Sequence, residues 1–75
     1  MKSTYETSDL YLSAYLKAKG MHLEGKKRQG AKFVFIFSDN TEREKLIEEF
    51  FNDGLVGITS FKNALQDLKT MVFNV

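Results

Sequence analysis

Met21-His22-Leu23-Glu24, then Gly25-Lys26-Lys27-Arg28-Gln29-Gly30, then Ala31-Lys32-Phe33-Val34-Phe35-Ile36-Phe37: these consecutive residues decide the fold. The last run is β-branched and aromatic. In an extended chain Phe33, Phe35 and Phe37 share one side, and Val34 and Ile36 share the other. Met21 to Glu24 alternates apolar and polar, as a half-buried strand does. The basic stretch Lys26 to Gly30 has no apolar residue, and Gly30 can take the positive φ of a tight turn. The sequence therefore predicts a β-hairpin with its tip near Gln29-Gly30. Both sides of its second strand are apolar, so something must cover each.

Helices flank this hairpin in the sequence. Upstream, Ser8 or Asp9 can cap a helix in which Leu10, Tyr11, Ala14, Tyr15 and Ala18 share one face. Leu12 and Leu16 widen that face, and Ser13, Lys17 and Lys19 are expected to meet water. Gly20 is placed to end the helix in a left-handed cap. Downstream, Ser38-Asp39-Asn40-Thr41 is a dense helix-start signal. Thr41 with Glu44 fits a capping box, and Leu46, Ile47, Phe50 and Phe51 form a stripe that stops before Gly54. Leu55 to Ile58 is either an edge strand or a packed loop. Thr59 or Ser60 then caps a last helix, with Phe61, Ala64, Leu65, Leu68, Met71 and Val72 at three-and-four spacing. Residues 1–7 are polar and are expected to fray. The expected class is α+β, one domain over residues 1–75. A small antiparallel hairpin or sheet is packed by three helices in the order α-β-β-α-α, with Phe35, Phe50, Leu65 and Leu68 in one core.

These residues together resemble a family. Ser8-Asp9-Leu10-Tyr11-Leu12-Ser13-Ala14-Tyr15-Leu16-Lys17-Ala18-Lys19-Gly20 opens the likeness. The Phe33-Val34-Phe35 strand, the Leu46–Phe51 helix with Gly54, and the Phe61, Leu65 and Leu68 helix complete it. The chain is similar over nearly its whole length to a family of short, uncharacterised, mostly bacterial proteins classed as a domain of unknown function. That resemblance implies no activity, ligand or catalytic residue.

Composition narrows the function. The chain has 75 residues and lacks cysteine, proline and tryptophan, with 43% hydrophobic and 28% charged residues. That suits one small globular domain of modest stability. With one histidine and no cysteine, a zinc site of the usual kind is not expected. The longest apolar run, Phe33 to Phe37, is far short of a membrane span. The absence of cysteine fits a reducing cytoplasm, which is the expected location.

No signature for a nucleophile, a phosphate loop or a dinucleotide site occurs, so neither an enzyme nor a cofactor is expected. His22 has no evident partner for acid–base work and is expected to be an exposed or edge imidazole. Glu44 and Glu48 share a helical face that could hold a hard cation weakly, but a solvated face paired with Lys45 is the stronger expectation. The phenylalanines fit a core better than a base-stacking ladder. Tyr11 and Tyr15, one helical turn apart, belong either at the core boundary or in an interface.

Charge layout is the informative feature. Residues 17–32 hold six cations against Glu24, a net +5, and residues 39–53 carry six acids against two cations, a net −4. Lys26, Lys27, Arg28 and Lys32 are the candidate site, able to meet phosphates or an acidic protein. The stronger expectation is that such charges keep a sticky hairpin from pairing with another. Two functions follow: a non-enzymatic binding module whose basic hairpin contacts nucleic acid or an acidic protein, or an interaction domain that self-associates. In the second, a homodimer would help cover Val34 and Ile36.

Overall fold

The computed structural model describes residues 3–73. In chain order they form β1 (Thr4–Thr7), α1 (Leu10–Ala18), β2 (Leu23–Gln29), β3 (Lys32–Ser38), α2 (Arg43–Phe51) and α3 (Ile58–Phe73). The fold is α+β, with the order β-α-β-β-α-α. The extra element is β1, in a segment expected to fray; Met1 and Lys2 lie outside the described residues. Thr4-Tyr5-Glu6-Thr7 is short and has a single apolar side chain, so it shows little periodicity. Pairing supplies its order: Thr4, Tyr5, Glu6 and Thr7 lie opposite Ser38, Phe37, Ile36 and Phe35, antiparallel.

The sheet order is β1-β3-β2, so the most apolar strand is central. In the hairpin, Gln29 faces Lys32, Arg28 faces Phe33, Lys27 faces Val34 and Lys26 faces Phe35. The basic stretch is thus strand rather than turn, and the two-residue loop is Gly30-Ala31, with Gly30 at φ 61°. Glycine with positive φ at the first loop position is what a type II′ hairpin turn requires. A bulge falls between Leu23 and Gly25.

All three helices pack on the phenylalanine side. Phe35 and Phe37 join Leu12, Tyr15 and Leu16 of α1, Leu46 of α2, and Ala64, Leu68 and Val72 of α3 in one buried cluster, with Phe50 and Leu65 packed against it. The molecule is a two-layer slab of 32 × 31 × 17 Å. Val34 and Ile36 face away from the helices. Val34 is nevertheless only 6% exposed. The Lys27 Nζ–Glu6 Oε1 ion pair, at 2.9 Å, joins β2 to β1 and so crosses this face over β3.

Asp9 caps α1, its side chain accepting from the Leu12 N–H at 3.0 Å. At the other end Met21 N–H donates to the Leu16 carbonyl and Gly20 N–H to that of Lys17, with Gly20 at φ 103°. That is the Schellman arrangement expected of a glycine there. Two expectations fail on this helix. Ser13 is 0% exposed and Tyr11 is exposed. The Ser13 hydroxyl donates to the Asp9 carbonyl at 2.8 Å, which satisfies it without water.

The starts of the other helices also differ from expectation. Thr41 does not cap α2. The helix begins after Glu42, whose N–H is accepted by Asn40 Oδ1 at 2.9 Å, while Asp39 Oδ1 takes the Asn40 N–H. The two preceding polar side chains thus order the turn that leads into α2, and no side chain caps its first-turn amides. Phe51, expected in the α2 stripe, is 68% exposed. α3 begins at Ile58, before the expected Thr59 or Ser60, with the Gly57 carbonyl accepting from Phe61 N–H. Residues 52–57 are a loop, so Leu55 to Val56 add no strand.

Candidate binding hairpin

Strand alternation sorts the four candidate cations. Residues opposite one another point the same way. Lys26 and Arg28, opposite Phe35 and Phe33, therefore project on the helix side, while Lys27 and Lys32 project on the open side with Val34. The two pairs are on one hairpin but on two faces.

Each face holds its charges differently. On the helix side the Lys26 ammonium lies 5.1 Å and the Arg28 guanidinium 5.8 Å from the centre of the Phe33 ring. Both charged ends thus lie over the Phe33 ring, which holds them on this side of the hairpin. Arg28 Nε also donates to the Gly30 carbonyl at 2.9 Å, which ties the side chain to the turn. On the open side Lys27 is held by Glu6, a residue of the strand that the sequence did not reveal. Lys32 is exposed beside the turn.

Lys17 and Lys19 do not extend this patch. Lys17 Nζ lies 3.5 Å from Asp67 Oδ2 of α3. Lys19 Nζ donates to the Leu55 carbonyl at 3.1 Å and sits over the Tyr15 ring. Both belong to the helix layer. His22 is exposed, and its carbonyl accepts from Ser38 N–H as β2 begins. Glu44 and Glu48 are exposed on α2.

Two further clusters were not visible in sequence. Asp39 meets Arg43 through two hydrogen bonds, 3.0 and 3.2 Å, and Arg43 stacks 4.8 Å from the centre of the Tyr5 ring. The guanidinium holds the Asp39 carboxyl below the usual carboxylate range, and Asp39 in turn raises Arg43. Tyr15 Oη donates to Glu49 Oε1 at 3.3 Å. Burial, reinforced by Glu49, pushes the Tyr15 phenol up. Both arrangements tie α2 to the rest of the slab: Arg43 to β1, and Glu49 to α1.

The match to known proteins covers this whole arrangement. Residues 2–74 fit a family described as a domain of unknown function, DUF5659. The chain belongs to that family. No curated protein and no solved structure matches it. The DUF5659 match spans both strands of the basic hairpin and all three helices, as the resemblance over nearly the whole chain implied.

A second surface lies at the α2–α3 connection. Leu55 is 87% and Ile58 85% exposed, close in sequence to exposed Phe51. A shallow depression of about 450 Å³ is lined by Ala18, Lys19, Leu55, Val56, Gly57 and Ser60. No helix of the described residues is long and apolar enough to cross a membrane.

Proposed function

We propose that this domain is a non-enzymatic binding module whose β2–β3 hairpin engages an anionic partner, a nucleic acid or an acidic protein. The supporting observation is the placement of Lys26, Lys27, Arg28 and Lys32 around one hairpin end, with Lys26 and Arg28 over the Phe33 ring. A salt series with generic duplex DNA and RNA tests it. A duplex resting on one face meets two cations, for a slope near −1.8 and a loss of about 12-fold between roughly 50 and 200 mM salt. A partner that wraps both faces meets three or four, and loses about 40- to 150-fold over the same range. Replacing Lys26, Lys27 and Arg28 together by Ser abolishes binding. Absence of binding to any polyanion at low salt, or equal binding by the triple variant, overturns the proposal.

A second reading is self-association, favoured by the exposure of Phe51, Leu55 and Ile58. Sedimentation over a concentration range checks it. A dimer that dissociates in the Leu55→Ser/Ile58→Ser variant supports it, and a monomer at high concentration removes it.

A further inference from the structure

We propose that the partner is an acidic, extended polypeptide segment that adds to the outer edge of β2 as a fourth strand. This rests on the anion-binding reading of the hairpin and specifies the geometry of the complex. β2 is an edge strand, bonded to β3 on one side, and among the described residues no strand pairs with its other side. Alternate residues of such an edge turn their N–H and C=O groups outward. The bulge between Leu23 and Gly25 limits the regular edge to Gly25 through Gln29, a length suited to a short peptide.

The charges on this edge have a two-residue period. Lys26 and Arg28 rise on the helix side, and Lys27 lies between them on the open side. An added strand has the same period, so three consecutive acidic residues place one carboxylate on the open face opposite Lys27 and two on the helix face opposite Lys26 and Arg28. A phosphate backbone resting against one face meets only part of that set. A second copy of β2 is disfavoured on the same grounds. A twofold axis through Lys27 would set Lys27 against Lys27 and Lys26 against Arg28 of the other copy, like charges throughout. An incoming carboxylate at Lys27 competes with Glu6, whose ion pair is partly exposed.

The test titrates the whole domain with the peptide acetyl-Thr-Val-Glu-Glu-Glu-Val-Thr-amide at low salt. It is compared with the same peptide N-methylated at alternate residues, in the two alternate registers, and with duplex DNA. Strand addition predicts saturable binding and amide resonance shifts centred on Gly25–Gln29. It also predicts about tenfold or greater weakening in one N-methylated register, as lost edge hydrogen bonds require. Lys27→Ser, at the centre of the new edge, weakens peptide affinity. Equal binding by all N-methylated forms overturns strand addition and leaves the anion-binding reading standing. Binding of DNA without binding of the peptide does the same. If neither binds, both proposals fall. Because the N-methyl comparison uses the unaltered protein, it does not depend on how well any variant folds.

Discussion

Asp39 shows how one residue can tie a helix start to a sheet edge. It accepts from the Asn40 N–H and from Nε and Nη2 along one edge of the Arg43 guanidinium, and Arg43 lies on Tyr5 of β1. Its pKa is lowered in the fold, so its contribution is present above the ordinary aspartate value of about 3.9. That contribution disappears as pH falls through the lowered pKa. Acid unfolding of Asp39→Asn should lack this component, which a pH series of denaturant midpoints below about pH 5 would show. Tyr15 works in the opposite direction. Its pKa is raised, so its contribution is present below the ordinary tyrosine value of about 10 and is lost as pH rises through the raised one. Tyr15→Phe should flatten the alkaline limb of the same series. Gly54 is a third such position. A Cβ there would press into Tyr15 Oη and stand 2.7 Å from the Glu49 carbonyl oxygen. Gly54→Ala should therefore lower stability by about 1–3 kcal/mol, read by urea denaturation.

At the scale of elements, β3 organises the molecule. Phe35 is buried on its helix side, and Phe35→Ala should cost about 3–5 kcal/mol, enough to unfold a domain of this size. A cooperative transition at near-normal temperature in that variant would contradict the core assignment. The hairpin and helices were legible because their signals are local: alternation from Phe33 to Phe37, Gly20 after a helix, and three-and-four spacing from Phe61 to Val72. β1 was not, because its order comes from pairing with residues more than 25 positions away rather than from its own four side chains. The basic stretch was legible as charge but not as strand, since Lys26 to Gln29 offers no apolar residue to alternate. Its division between two faces followed only once the register with β3 was known. Ser13 was misplaced because a helix interior can satisfy a hydroxyl from its own backbone. Removing residues 1–7 should expose the second edge of β3. We expect a lower melting temperature and concentration-dependent aggregation, measurable by light scattering.

The whole molecule is a slab with its helices on one side, and its functional surfaces follow from that plan. The sheet's open face is spanned by the Glu6–Lys27 pair, one edge is basic, and three exposed apolar side chains, Phe51, Leu55 and Ile58, fall in the stretch where α2 turns into α3. Leu55→Ser/Ile58→Ser should leave the monomer's stability within about 0.5 kcal/mol, because both side chains are more than four-fifths exposed. The pairing of β1 with β3 also sets an order of events during folding. Closing the two-residue loop at Gly30-Ala31 costs little chain entropy, whereas Thr4 must find Ser38 across the entire first helix and the hairpin. During synthesis β1 emerges before the other two strands, yet it has no partner until Phe35 to Ser38 have followed. The first strand of the sheet to be made is the last to be secured, and until then the Phe33–Phe37 strand has an open flank on a growing chain.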